Sequence, residues 1–257
     1  MNNTFAHYIY SLVVPVALLI VWEVAYITGL IDVSQWVSPS QIISYLVQLF
    51  ALSDFWLGIL NSLIRLFSGL VIGGFFGVLF GIAIARYSVM NQLFEPTFNA
   101  LRQISLFAWV PLLSVYFGYG ELSKIIFIAL ACFFPVALNT FLGVRAIDKR
   151  FYEAARVFGL SSVNYWLKFL LPAASPQIFV GIQLGTIYAW LGVVGAEFLL
   201  RSFSTKGIAD TLVSGRTDYL VDQIIAGTFI IGIVGVALNR LVVTIENRTL
   251  AFLPRVK

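Results

Sequence analysis

Among the long stretches of this chain that carry no Asp, Glu, Lys or Arg, six read as spans: residues 8–22, 66–85, 103–120, 125–144, 169–196 and 223–239. A helix needs about 20 largely apolar residues to cross a bilayer, and each stretch approaches or passes that length once a charge is allowed near an end. Only 11% of the residues are charged and 60% are hydrophobic, against roughly 25% charged in a soluble domain. These features predict an all-α integral membrane protein with six spans in a single domain, 1–257. Residues 1–54 would hold the first span and an outer segment, and 55–250 the core. The first span is expected to be a permanent anchor, because neither a basic leading region nor a small-residue cleavage site accompanies it.

Orientation follows from the connecting segments. Between the fourth and fifth stretches lies a polar island at about 145–172, where Arg145, Lys149, Arg150, Arg156 and Lys168 outnumber Asp148 and Glu153. Such an excess of Lys and Arg in a short loop marks the cytoplasmic side. With six spans both termini then lie in the cytoplasm too, in accord with Arg240, Arg248, Arg255 and Lys257 near the C-terminus. The outward segment containing Arg201, Lys206 and Arg216 runs against this trend, although Asp210 and Asp218 accompany those charges. The net charge of +4 therefore reports topology, and a nucleic-acid partner is not expected.

Two local patterns refine the picture. Ser38 and Pro39 form a cap followed by proline at the first helical position, and Ile42, Ile43, Leu46, Val47, Leu49 and Phe50 then recur at roughly helical spacing among serines and glutamines. An interfacial helix along the outer surface is expected there; a seventh span is the alternative, since 33–53 has no charge. In the second stretch Gly69, Gly73, Gly77 and Gly81 recur at every fourth residue. Small residues at this spacing let helix backbones approach closely in lipid, either within one subunit or between two.

The chemistry-bearing motifs are missing. No Gly-Lys pair occurs, so the chain has no phosphate-binding loop of its own. A single His7 and a single Cys132 cannot build a multi-ligand zinc centre or an internal disulfide. Cys132 sits in mid-span and reads as packing. Neither a zinc-protease helix motif nor a hydrolase nucleophile elbow is found.

The polar island nevertheless has a register of its own. Glu153-Ala154-Ala155 is followed by Gly159 and, further on, by Leu171-Pro172, a spacing that resembles the cytoplasmic signature of ATP-binding-cassette importer permeases; Phe169 stands where that signature has Ile. Ordinary basic loops carry no such register. Further along the chain, Arg102, Ala108-Trp109-Val110-Pro111-Leu112, Phe117-Gly118, Glu121, Ser123-Lys124, Phe134-Pro135, Asn139-Thr140, Gly192, Ala196-Glu197 and Thr217-Asp218 resemble the sulfonate, taurine and nitrate importer permeases. The chain reads Gln103-Ile104-Ser105-Leu106-Phe107 where the family is usually proline-rich, a departure that bears on substrate.

This resemblance implies the type I importer permease fold, similar to the methionine importer's, in a bacterial inner membrane. It implies a homodimer working with two ATPase subunits, which bind ATP and Mg2+, and with an extracytoplasmic binding protein that delivers the substrate. This chain itself would hold no cofactor. Glu153, Ala154, Ala155, Arg156, Gly159 and Pro172 would couple the ATPase to the spans, and a sulfonate or taurine would be the first cargo to test, with nitrate or bicarbonate next. Ionisable and polar groups within or beside spans are candidates for the translocation path: Arg102, Gln103, Trp109, Asn139, Gln183, Tyr188, Trp190 and Glu197. Arg102 and Glu197 can instead form a mutual salt bridge or a gate contact, and the uncharged groups can be satisfied interhelical contacts. Arg65, about three turns beyond Asp54, is expected to snorkel to the outer surface. A stand-alone secondary transporter is the alternative in another class; it would show internal repeats, and none is found.

Overall fold

The computed structural model describes residues 2–31, 36–148, 170–201 and 205–251. Its elements are α1 (Asn2–Ile27), α2 (Pro39–Phe50), α3 (Ser53–Arg86), α4 (Ser88–Leu101), a 3-10 turn (Leu106–Trp109), α5 (Val110–Phe117), α6 (Glu121–Arg145), α7 (Leu171–Leu199), α8 (Asp210–Thr217) and α9 (Val221–Ala251). No strand occurs among the described residues. Two compact units are distinguished, one of residues 1–59 with 208–232 and the other of 60–207 with 233–257.

In the larger unit, α6 is the central helix. Phe127, Ile128, Cys132, Val136 and Val144 on it are almost fully buried, and glycines on both neighbours explain how. The ridge on α3 lies against α6. A Cβ on Gly81 would stand 2.5 Å from the Ala137 carbonyl oxygen and 2.7 Å from Thr140 Cβ, and one on Gly73 would run into the Ala129 carbonyl. From the other side α7 presents Gly181 and Gly185, whose added Cβ atoms would lie 2.9 Å from Asn139 Cβ and from Val136 Cγ2. The ridge read from the sequence is thus packed within the chain. Apolar clusters close the two ends of this sandwich: Ile82, Val144, Leu170, Ala174 and Ile178 at one, Leu113, Phe127, Ala196 and Leu200 at the other.

In the smaller unit, Ser38 caps α2 reciprocally. Its hydroxyl accepts from the Gln41 N–H at 3.2 Å, and its own N–H donates to Gln41 Oε1 at 3.1 Å. Pro39 follows at the first helical position, where its missing N–H breaks no rung. Glu23 of α1 accepts from the Ser40 N–H and hydroxyl at 3.0 and 2.8 Å, placing a carboxylate at the positive end of α2. At 12 residues, α2 is too short for a span.

Four or five of the expected six spans are found among the described residues, and in α1 the described apolar stretch is Val13–Ile27. Among the described residues, α3, α6, α7 and Val221–Thr249 of α9 are long and apolar enough to cross a bilayer, and α4 with Leu106–Phe117 would be a fifth only as one span broken by 98°. The stretch 103–120 is therefore not a straight helix. Pro111 has no N–H to offer Phe107, whose carbonyl instead takes the Val110 N–H in a 3-10 turn, and Gly118 ends α5 at φ 71°. Helix α4 was hidden by its Asn91, Gln92, Glu95, Pro96 and Asn99, which read as loop.

The glycine contacts generate a paired prediction. Gly73→Ala should destabilise the protein by about 1–3 kcal/mol through overpacking, because the neighbouring atom is backbone and cannot turn aside. Gly74 has nothing within 4 Å of an added Cβ, so Gly74→Ala should be neutral or stabilising by up to about 1 kcal/mol. Thermal unfolding of both variants in detergent separates close packing from helix propensity.

Candidate functional site

Two features of the larger unit bring together the residues with functional chemistry. The first is an ion-pair cluster, buried except at Glu121, which keeps one side to solvent. Arg65, on α3, is 2% exposed. Its Nε and Nη2 donate to the two oxygens of Glu121 at 2.6 and 2.8 Å, and its Nη1 donates to Glu197 Oε1 at 2.6 Å. Nη2 also reaches the Thr205 hydroxyl at 3.1 Å, and that hydroxyl donates in turn to Glu121. Lys124, one turn after Glu121 on α6 and equally buried, completes the set with Nζ 3.1 Å from Glu121 Oε1. Ser62 donates to Glu197 at 2.5 Å.

Arg65, Lys124, Glu121 and Glu197 make a balanced group of cations and carboxylates, with neutral hydroxyls filling further lone pairs. That balance is what permits charges to leave water at all. Arg65 therefore does not snorkel as expected: carboxylates from α6 and α7 come to it, so its charge need not reach solvent. Glu197 pairs with Arg65, and no carboxylate pairs with Arg102 among the described residues. The Glu197 carboxylate also lies against Gly207, which leaves room for it by lacking a side chain.

The second feature is a cavity of about 500 Å³ between the end of α4, the turn after it, α6 and α7. Phe98 anchors α4, with its ring 5.5 Å from Phe80 of α3 and 5.7 Å from Phe134 of α6. Arg102, the C-cap of α4, lies about one turn further and reaches the cavity wall. Gln103, Trp109, Asn139 and Tyr188 line the same hollow, along with Ser105, Phe134 and Pro135. Arg102 is the only formally charged residue among the described residues that line it. Pro135 also lacks the N–H that would bond the carbonyl of Ala131, and both residues are on the wall.

Asn139 is partly committed elsewhere: its Nδ2 donates to the Pro135 carbonyl at 2.8 Å and its Oδ1 accepts from Gln177 Nε2 at 3.0 Å. Gln183 is half-buried on α7 and does not line the cavity. Trp190 is buried beside Gly235 of α9, where an added Cβ would lie 2.8 Å from the indole Nε1. Glu197 belongs to the ion-pair cluster. Pro172 stands in the first turn of α7, whereas Glu153, Ala154, Ala155, Arg156 and Gly159 fall outside the described residues. The i, i+3 spacing of Glu121 and Lys124 at the head of an apolar stretch was the available signal for the cluster; Phe134 and Ser105 were not named for the path, although both lie in segments that the sequence singled out.

Comparison with known proteins places this architecture. The family model described as "Binding-protein-dependent transport system inner membrane component" matches residues 73–250. A Bacillus subtilis protein named as an aliphatic sulfonates transport permease, SsuC, is 31% identical over 93% of this chain and 86% of its own length. The bicarbonate transport system permease protein CmpB of Synechococcus elongatus is 32% identical over 75% of this chain and 68% of its own. The taurine transport system permease protein TauC of Escherichia coli is 29% identical over 78% and 74%. Among solved structures, an amino acid ABC transporter chain superposes with a TM-score of 0.62 at 16% identity, covering 83% of this chain and 99% of that one. A chain of the methionine transporter MetNI in an inward-facing form gives 0.56 at 19%, covering 85% and 100%.

The two features predict opposite responses to losing an arginine. Arg65→Ala leaves the buried Glu197 carboxylate without its cation and should cost about 3–5 kcal/mol. Arg102→Ala removes an exposed group with no ion pair among the described residues and should change stability by no more than about 0.5 kcal/mol. Denaturation of the two purified variants side by side checks the assignment.

Proposed function

The chain belongs to the family of binding-protein-dependent transport system inner membrane components, and from that premise we propose that it forms the path by which a small anion enters the cell. It is a transport permease subunit and not an enzyme. One observation supports the anion: Arg102 brings positive charge to a cavity whose described lining has no carboxylate. An anion entering there gains a guanidinium while Gln103, Ser105 and Tyr188 can supply uncharged hydrogen bonds. Glu197, which would repel an anion, is held away by Arg65.

In this reading two copies of the chain assemble with two ATPase subunits, which bind ATP and Mg2+, and receive cargo from an extracytoplasmic binding protein. Both termini and the segment with Glu153, Ala154, Ala155, Arg156 and Gly159 face the cytoplasm, where that segment docks on the ATPase and Pro172 starts the following span. The ATP-bound state drives transport because it favours one conformation of the spans by its differential contacts. A sulfonate or taurine is the first cargo, supported by likeness to SsuC and TauC over most of the chain; nitrate or bicarbonate is the second, supported by likeness to NrtB and CmpB.

The test is reconstitution with the ATPase and binding protein in nanodiscs, recording ATPase rates and uptake with taurine, alkanesulfonates, nitrate and bicarbonate. Stimulation by one of them names the cargo. Arg102→Gln should then lower uptake roughly 10- to 100-fold, the loss expected for a charge-assisted hydrogen bond, with binding-protein affinity unchanged. Unaltered uptake in that variant removes Arg102 from the path. Failure of any ATPase to associate would favour a stand-alone transporter instead. Gly159→Pro should leave the spans folded but abolish substrate-stimulated uptake, and retained coupling would refute the docking role of that segment.

A further inference from the structure

The smaller unit holds a second hollow, of about 450 Å³, that the transport reading does not use. Its walls include Tyr26 near the end of α1, Trp36 before α2, Tyr45 on α2, and Tyr219 with Asp222 at the junction of α8 and α9. Aromatic faces carry negative potential and attract cations. Asp222 adds a formal negative charge: it is half-buried and has no hydrogen-bond or ion-pair partner among the described residues. Tyr45 senses that charge, for its phenol is raised by burial first and by Asp222 second. The side-chain amide of Gln41 has its oxygen held by Ser38, which leaves its NH2 as a donor on the same wall.

Tyr219 has no structural justification of the ordinary kind. It sits at φ 58°, the only non-glycine residue with positive φ among the described residues. The Leu220 N–H returns to the Gly215 carbonyl at 2.7 Å, so the end of α8 is a Schellman turn with tyrosine at the left-handed position where glycine is usual. The strain persists because the turn is fixed on both sides: a Cβ on Gly215 would stand 2.7 Å from Gln223 Cβ. Yet the ring is 90% exposed, so no burial offsets the strained backbone. Strain retained without a packing return points to a ring displayed for a ligand.

The depth of the hollow indicates which ligand. It is built where two apolar helices end, α1 at Ile27 and α9 beginning at Val221, and the ends of apolar spans lie at the headgroup level, where Tyr and Trp concentrate. Helix α2, which supplies Gln41 and Tyr45 to the hollow, exposes Ile43, Val47 and Phe50 elsewhere on its surface, a face suited to acyl chains. We propose that this hollow binds the headgroup of an aminophospholipid, its ammonium between the aromatic rings and Asp222 and its phosphate against the Gln41 amide.

The full-length protein, purified in detergent, would be titrated with phosphatidylethanolamine and with phosphatidylglycerol of the same acyl chains, and retained lipid counted by native mass spectrometry. Preferential retention of phosphatidylethanolamine is expected. Asp222→Asn and Tyr219→Gly should each weaken it roughly tenfold, the scale of a charge-assisted or cation–π contact. Tyr219→Gly should melt no earlier than the parent, because glycine relieves the left-handed residue, so its loss of lipid cannot be attributed to misfolding. Equal retention of both lipids, or unchanged retention in both variants, overturns the proposal. Displacement of the lipid by soluble glycerophosphoethanolamine at the lipid's own midpoint concentration also overturns it, by making a free solute the occupant.

Discussion

Helices in lipid gain nothing by hiding apolar surface from one another, since the acyl chains are as apolar as leucine. What holds them is dispersion and hydrogen bonding over short distances, and the backbones must therefore come close. In the larger unit this demand falls on α6, which has Gly69, Gly73, Gly77 and Gly81 of α3 on one side and Gly181 and Gly185 of α7 on the other. Such contacts leave no freedom for side chains to compensate a shift. The position of α6 decides where Glu121 and Lys124 meet Arg65 and where Phe134, Pro135 and Asn139 face the cavity, so both candidate features inherit their geometry from the glycine sandwich.

The electrostatic layout follows from that packing. Charges that α3, α6 and α7 bring inside are gathered into one group, Arg65 and Lys124 with Glu121 and Glu197. Paired with one another, they exert little field at a distance. Arg102 is outside the group and has no compensating carboxylate among the described residues, so its field falls on the cavity. The two sets of charges are thus kept apart: the cluster pairs charges across three helices, and Arg102 stands exposed at the cavity wall.

Much of the fold was legible in the chain because bilayer length and helical period are properties of short windows. The charge-free stretches located α3, α6, α7 and α9, the Ser38-Pro39 pair located the start of α2, and the four-residue glycine period located a packed face. What the windows could not show was pairing at a distance. Arg65 meets carboxylates 56 and 132 positions away, and a local reading could only measure its distance from the nearest helix end. The broken segment was lost for the opposite reason, because averaging apolar residues over a window conceals the change of direction between Leu101 and Leu106. Five of the residues proposed for the path, Arg102, Gln103, Trp109, Asn139 and Tyr188, share one cavity, while Gln183, Trp190 and Glu197 lie elsewhere. The chain names which side chains carry polarity; only the packing decides which way they look.

The 98° bend between α4 and the segment after it carries an implication of its own. Backbone that leaves the helical pattern, as at Ser105, loses the partners a regular helix supplies, and inside a membrane such groups are tolerated only where protein or water satisfies them. The bend opens onto the 500 Å³ hollow, through which water can reach the groups that the helix no longer pairs. A hydrated pocket at membrane depth is a standing leak unless closed at one end, and a fixed guanidinium in its wall repels the abundant small cations of either compartment.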